Sequence, residues 1–332
     1  MNPLQRRMFE GKTILVFGGT GSLGHAIVSK HIEKNNITIY SRDENKHWKM
    51  SLDYKTKNLS FIIGDIRDKE RVQTAIRRVN PHYIIIASAL KHIDRVEFSI
   101  HESVETNFVG TTNVLNAVEK DSSYLTNLEC VLFVSSDKAC EPTNVYGMCK
   151  ALSEAAMVER SLYMKNIKFV TIRYGNVLNS RGSIIPLLHE KGKDAQVDRF
   201  TLTHKEMTRF VMTLEQSVSL IEHAIQHAES GDIVLYGLVS MYLHDLFEIF
   251  SDVYGKPIEI GTIRPGEKLH ESLISETQAH RLLQGKDGYF YIKPPYKTIS
   301  SDTKIMNYTS MMNPLSKEEL RTFLENIDLL HS

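Results

Sequence analysis

An apolar, β-branched run, Lys12-Thr-Ile-Leu-Val-Phe17, passes directly into Gly18-Gly-Thr-Gly21-Ser-Leu-Gly24 and then into a stretch of helical periodicity from Ser22 to about Lys34. A run of that composition suits a strand buried on both faces. The glycines permit a tight turn, a close approach of backbone to a pyrophosphate and close packing of the helix. The amides at the helix start are donors for phosphate oxygens. Gly18, Thr20, Gly21, Ser22, Leu23 and Gly24 are therefore the expected dinucleotide turn. Such a unit needs parallel neighbours, and the chain supplies them. Ile37–Tyr40, Leu59–Ile63, Tyr83–Ala87, Cys130–Val134 and Phe169–Ile172 read as further strands, with a helix from roughly Ser99 to Lys120. Strands separated by helices imply right-handed crossovers, so the expected class is α/β, a Rossmann-type doubly wound parallel sheet.

Beyond Asn179 the alternation weakens. Thr213 to about His227 has helical periodicity and is expected to return to the flank of the sheet, followed by a late strand, Ile233–Tyr236. Ser316 with Glu319 fits a capping box opening a last helix to about Leu330. The expected division is a dinucleotide-binding domain of residues 1–180 plus about 210–240, and a smaller C-terminal lobe of about 181–209 plus 241–332 over the strand ends.

Forty basic and forty acidic side chains cancel, which argues against bulk attraction to nucleic acid or an anionic membrane. No apolar run reaches the length of a membrane span. The first ten residues hold Arg6 and Arg7, but no apolar secretory core follows, so the expected compartment is the cytoplasm. Cys130, Cys140 and Cys149 lack zinc-ligand spacing and cannot all pair. Reduced thiols that fill packing space, and no metal site, are expected.

The second strand runs into Ser41-Arg42-Asp43-Glu44-Asn-Lys46. An acid at a strand tip binds the ribose diol of NAD, whereas Ser41 and Arg42, aided by Lys46, suit the phosphate of NADP. NADP is the expectation, and Asp43 leaves NAD open. Asp65 and Ile66, after the third strand, are placed to meet the adenine, although Asp65 serves equally as a turn residue. Ser135-Ser136-Asp137-Lys138 stands at the tip of the fifth strand, where doubly wound sheets bind ligands. Tyr146 and Lys150 follow four residues apart, on one face of a helix. An ammonium beside a phenol favours the phenolate, although the reference phenol pKa is about 10. Such a base suits removal of an alcohol proton while hydride leaves the same carbon. Lys91 and His92 follow the fourth strand and are expected in the same cavity, and Asn107 is expected to fix a helix or loop beside it.

This order of motifs resembles the extended short-chain dehydrogenase/reductase superfamily over nearly the whole chain. Six blocks carry a narrower resemblance: Ala89-Leu-Lys91-His92, Ser136-Asp137-Lys138-Ala139, Arg173-Tyr-Gly-Asn176-Val177, Ser180-Arg181-Gly182-Ser183, Met207-Thr208-Arg209-Phe210 and Ile263-Arg264-Pro-Gly-Glu-Lys268-Leu-His-Glu271. They are similar to the inverting UDP-N-acetylglucosamine 4,6-dehydratases of the polysaccharide-biosynthesis branch. That resemblance implies NADP, a UDP-N-acetylglucosamine substrate and a nucleotide-sugar-binding second lobe. It also implies a homo-oligomer, dimer or hexamer.

For the residues it implies Tyr146 as acceptor of the carbon-4 hydroxyl proton, Ser136 to orient that hydroxyl, and Lys150 to hold the nicotinamide ribose and lower the tyrosine pKa. Lys138 becomes the carbon-5 base and Asp137 the acid for the departing carbon-6 hydroxyl. A lysine is a base only when its pKa is depressed by burial or neighbouring charge. Ala87, Ala89 and Lys91 join the cofactor set. Lys91, His92, Asn176, Arg181, Arg209, Arg264 and Glu267 join the substrate set, with Arg209 and Arg264 for the diphosphate and Glu267 for uridine. Retaining dehydratases carry Asp-Glu where this chain has Asp137-Lys138. One segment departs from the family: Tyr236-Gly-Leu-Val-Ser240 lacks the lysine and proline common there. The rival readings are a retaining dehydratase, a UDP-sugar 4-epimerase and a nonenzymatic NADP-binding redox-sensing scaffold.

Overall fold

The computed structural model describes residues 9–297 and 307–330. Arg6 and Arg7 lie outside the described residues. The first half alternates as expected: β1 (Thr13–Phe17), α1 (Ser22–His31), β2 (Asn36–Ser41), α2 (Glu44–Tyr54), β3 (Leu59–Ile63), α3 (Lys69–Val79), β4 (Tyr83–Ile86), the short helices α4 (Ile93–Val96) and α5 (Ile100–Val104), α6 (Gly110–Lys120), β5 (Cys130–Val134), α7 (Val145–Tyr163) and β6 (Lys168–Ile172). The second half contains β7 (Asn176–Val177), α8 (Ile184–Lys193), β8 (Phe200–Leu202), β9 (Thr208–Met212), α9 (Leu214–His227), β10 (Ile233–Tyr236), β11 (Ser240–Tyr242), α10 (Leu243–Tyr254), β12 (Ile258–Ile260) and β13 (Ser272–Ile274). It ends with α11 (Glu276–Ala279), β14 (Leu282–Gln284), β15 (Tyr289–Ile292), β16 (Tyr308–Thr309), β17 (Pro314–Leu315) and α12 (Lys317–Asn326).

The main sheet has nine strands in the order β14-β15-β10-β6-β5-β4-β1-β2-β3. From β3 to β10 every neighbouring pair is parallel, and β15 and β14 add an antiparallel edge. The order reverses between β1 and β4, and ligands bind outside the carboxyl ends of strands at such a switch point. Ile14, Val16, Ile39 and Ile85 pack with α1 and α9 on one face; Leu15, Phe17, Ile84 and Phe133 pack with α3, α6 and α7 on the other. Burial on both faces explains why these strands read as continuous apolar runs. The later elements form smaller sheets, β17-β11-β9-β7, β12-β8 and β13-β16. Their core includes Leu188, Phe200, Phe250 and Leu324.

Three helix boundaries differ from the expectations. α1 ends at His31 rather than Lys34, because the Asn35 side chain caps the His31 carbonyl at 2.8 Å. The helix expected over Ser99–Lys120 is interrupted by a π turn at Glu105–Val109. Asn107 sits in that turn and bonds both backbone groups of Leu90, at 2.7 and 3.0 Å, so it does pin the loop after β4. α12 opens on the expected Ser316–Glu319 capping box but stops at Asn326, because Leu329 and Leu330 turn back into the core. α9 matches its expected span and is capped by a Thr213–Gln216 box. Among the described residues no helix is long and apolar enough to cross a membrane.

Candidate active site

A cleft of about 940 Å³ opens over the carboxyl ends of β1, β2, β4 and β5. Its floor begins with the glycine turn. Gly18 has φ +80°, and a Cβ there would stand 2.6 Å from the Ser88 backbone. Gly24 is bound by packing instead: its Cβ would meet the Gly19 carbonyl at 1.8 Å. Among the described residues no side chain caps the first turn of α1. Its amides are thus left to a ligand, and the turn fits the phosphates of a dinucleotide. Thr20, Gly21, Ser22, Leu23, Ala87, Ala89 and Ile66 line the same wall.

At the β2 tip, Ser41, Arg42 and Lys46 all face the cleft, as does Asp43. Ser41 Oγ lies 2.7 Å from His47 Nε2 and 3.3 Å from Thr20 Oγ1. Lys46 pairs with Asp43 at 2.9 Å. Asp65 is off the cleft wall. Its carboxylate is gripped by Arg67 at 2.7 Å and approached by Arg42 at 3.5 Å, so its turn role is the one visible here.

β5 delivers the reactive loop. Ser135 Oγ donates to Glu154 at 2.6 Å, and Arg173 grips the same carboxylate at 2.6 and 3.0 Å. The Asp137 N–H donates to the Tyr174 carbonyl, tying the loop to the end of β6. Ser136 donates to Asp137 Oδ1 at 2.8 Å, and Lys138 Nζ donates to the same oxygen at 3.0 Å. Lys138 also reaches Asn176 Oδ1 and Glu271 Oε1, each at 3.3 Å. Asn144 caps α7, accepting from the Gly147 amide at 2.8 Å, and so directs Tyr146 toward the loop. Ser136, Asp137, Lys138, Tyr146 and Asn176 thus meet on one wall.

The electrostatics correct two expectations. Burial pushes the Tyr146 phenol up, with Asp137 adding to it, so Lys150 does not lower it in the chain alone. Lys150 donates to the Val134 carbonyl at 2.7 Å, beneath the cleft surface, and burial pulls it down to about 7. Lys138 was expected to be a depressed lysine. Burial does pull it down, but Asp137 and Glu271 together hold it above the ordinary lysine value. Burial pushes the Asp137 carboxyl up, against the pull of Lys138.

The remaining expected residues divide. Lys91, His92 and Arg181 line the cleft. Lys91 donates to the Arg181 carbonyl at 2.8 Å, and burial lowers its pKa. The Arg181 guanidinium donates to the Thr20 carbonyl, so it sits on the dinucleotide turn rather than on a sugar subsite. Arg209 is 6% exposed, and its Nη1 donates to the Thr208 and Leu269 carbonyls while its Nε faces Glu271. Arg264 and Glu267 pair with each other away from the cleft wall. The geometry brings none of these three to the cleft: Arg209 is buried on β9, and the loop of Arg264 and Glu267 is held by Asn144 and Thr143 on the Gly266 carbonyl. Sequence reasoning gave no role to Glu271 or Glu154. Each is a single acid whose importance lies in a partner distant along the chain.

A family model described as polysaccharide biosynthesis protein matches residues 14–293. A protein of Campylobacter jejuni subsp. jejuni serotype O:2, named UDP-N-acetylglucosamine 4,6-dehydratase (inverting), is 33% identical over 97% of this chain and 99% of its own length. A protein of Rickettsia canadensis, named UDP-glucose 4-epimerase, is 37% identical over 81% of this chain and 79% of its own length. Among solved structures, Pen from Bacillus thuringiensis superposes with a TM-score of 0.89 at 31% identity, covering 97% of this chain and 99% of that one.

Proposed function

The chain belongs to the polysaccharide biosynthesis protein family, and from that premise we propose that it is an NADP-dependent UDP-N-acetylglucosamine 4,6-dehydratase that inverts carbon 5. The observation that carries the reading is the contact of an acid and a lysine, Asp137 and Lys138, at 3.0 Å on the wall that Tyr146 shares. A simple oxidation at carbon 4 needs the tyrosine alone; loss of water from carbons 5 and 6 needs both a base and an acid.

A dinucleotide held by the glycine turn with Ser41, Arg42 and Lys46 would supply reversible hydride uptake and, in its oxidised form, a positive charge. Tyr146 accepts the carbon-4 hydroxyl proton, with Ser136 orienting that hydroxyl. Lys138 reaches its amine form by passing a proton to Asp137 across their hydrogen bond. The amine then takes the carbon-5 proton while the Asp137 carboxyl protonates the departing carbon-6 hydroxyl. The pair ends as ammonium and carboxylate, and water has left. A solvent-derived proton added to carbon 5 from the opposite face gives inversion, and Tyr146 returns its proton to solvent. Ser41, Arg42 and Lys46 support NADP. A cytoplasmic site of action and a homo-oligomer complete the reading, the latter supported by Met148, Leu152, Leu162 and Tyr163, exposed along α7.

The Rickettsia relative favours a second reading, a UDP-sugar 4-epimerase. One experiment separates the two: incubation with UDP-N-acetylglucosamine and NADP in deuterated water, followed by nuclear magnetic resonance. The dehydratase gives a 4-keto-6-deoxy product, inverted and labelled at carbon 5. Recovery of a carbon-4 epimer with its carbon-6 hydroxyl intact would replace it with the epimerase.

A further inference from the structure

Glu271 has no part in the steps above, yet it is 2% exposed and stands just before β13, where it reaches the reactive loop from the second lobe. Its backbone is clamped on both sides: its N–H donates to Ser310 Oγ and its carbonyl accepts from the Ser310 N–H, at 2.9 and 2.8 Å. Its Oε1 lies 3.3 Å from Lys138 Nζ and 3.8 Å from Arg209 Nε. Among the described residues its buried Oε2 has no hydrogen-bond partner, and neither has Asp137 Oδ2.

One ammonium therefore sits between two buried carboxyl groups. Their surroundings differ. Glu271 faces three cations, Lys138, Arg209 and Lys268, which hold it ionised against its burial. Asp137 has Lys138 as its ion-pair partner and the like-charged Glu271 nearby; its other neighbours are the Ser136 hydroxyl, the Tyr146 and Tyr174 phenols and Arg173, whose guanidinium is already paired with Glu154. A buried charge persists where fixed opposite charge compensates it.

We propose that Glu271 is a positioning residue that fixes Lys138 Nζ beside Asp137 and stabilises the ammonium with which the Asp137–Lys138 pair starts and to which it returns. As part of the dehydratase reading on which it rests, the Glu271 carboxylate stabilises the positive charge that grows on Nζ while the carbon-5 proton arrives. It acts through Lys138 and need not touch the sugar.

The test begins without substrate. In protein labelled with carbon-13 at lysine Cε, the Lys138 resonance is identified by its loss in Lys138→Gln and followed with pH. In the unaltered chain it should stay in its ammonium form past the midpoint of the other lysines. An earlier transition overturns the proposal, and that arm needs no variant of Glu271. Glu271→Gln keeps the shape and removes the charge; it should lower the Lys138 midpoint by at least about one pH unit. Glu267→Gln, on the same loop, should leave the midpoint unmoved. An unchanged midpoint in Glu271→Gln refutes the counter-ion. With substrate, the same variant should lose at least about tenfold in kcat, with KM within about twofold. A lowered midpoint with unaltered kcat removes the functional half. Absence of any dehydratase product from the unaltered chain would instead defeat the reading of the reaction, and the titration would still decide the counter-ion.

Discussion

A Cβ added to Gly147 would stand 2.1 Å from the Lys138 carbonyl oxygen. The helix carrying Tyr146 is thus packed backbone to backbone against the loop carrying Asp137 and Lys138. Gly147→Ala should force the two apart. The helix preference of alanine, about 1 kcal/mol, offsets part of the overpacking cost of about 1–3 kcal/mol. A modest fall in melting temperature with a kcat loss of at least about tenfold is expected. Calorimetry and product assays check it, and a fully active, stable variant would show that the loop tolerates displacement.

Tyr146→Phe removes the proposed proton acceptor and little else. Turnover should drop by about a hundredfold or more, while NADPH binding, followed by fluorescence titration, stays within about threefold, since less than about 1 kcal/mol of binding energy is removed. Retained turnover would reassign the acceptor.

Lys150 gives a stability prediction with a definite sign. Its folded pKa, about 7, lies below its unfolded value of 10.5. Between those values the unfolded chain binds the extra proton, so this group makes the fold less stable as pH falls from 10.5 to 7, and adds nothing further below. Lys150→Met should therefore raise the stability of the ligand-free protein at pH 7. Each tenfold change in proton affinity between the two states corresponds to about 1.4 kcal/mol, and the lost bond to the Val134 carbonyl takes back about 1 kcal/mol. The gain, on the order of 3 kcal/mol from those two contributions, should vanish above pH 10.5 in urea melts. A gain independent of pH would place its origin in packing. Activity should be lost in the same variant.

Arg42→Ala tests the dinucleotide. Removing a guanidinium that serves a phosphate should weaken NADPH by at least about tenfold and NADH by less than about twofold. Equal losses would leave NAD as the partner and Arg42 as a brace for Asp65.

The strands, the glycine turn and the Tyr146–Lys150 spacing were legible because each is written in local composition and period. Ser136 and Asp137 were legible for a related reason: a sheet of this kind sends its strand ends to one edge. Charge state was not. Lys138 was expected to be depressed because burial alone lowers a lysine; the second carboxylate comes from residue 271, and no spacing announces it. Arg209 and Arg264 carry the residue type that binds diphosphate, but one turns inward to carbonyl groups and the other pairs with Glu267. The interruption at Glu105–Val109 was hidden because Asn107 spends its amide on Leu90, a contact across the sheet edge.

Arg173 donates to the Leu273 carbonyl and to Gln278 while it grips Glu154, all in a fully buried position. A single guanidinium thus ties the residue after β6 to β13 and α11. Separating these segments would strip the buried guanidinium of two partners, so this one contact resists their parting.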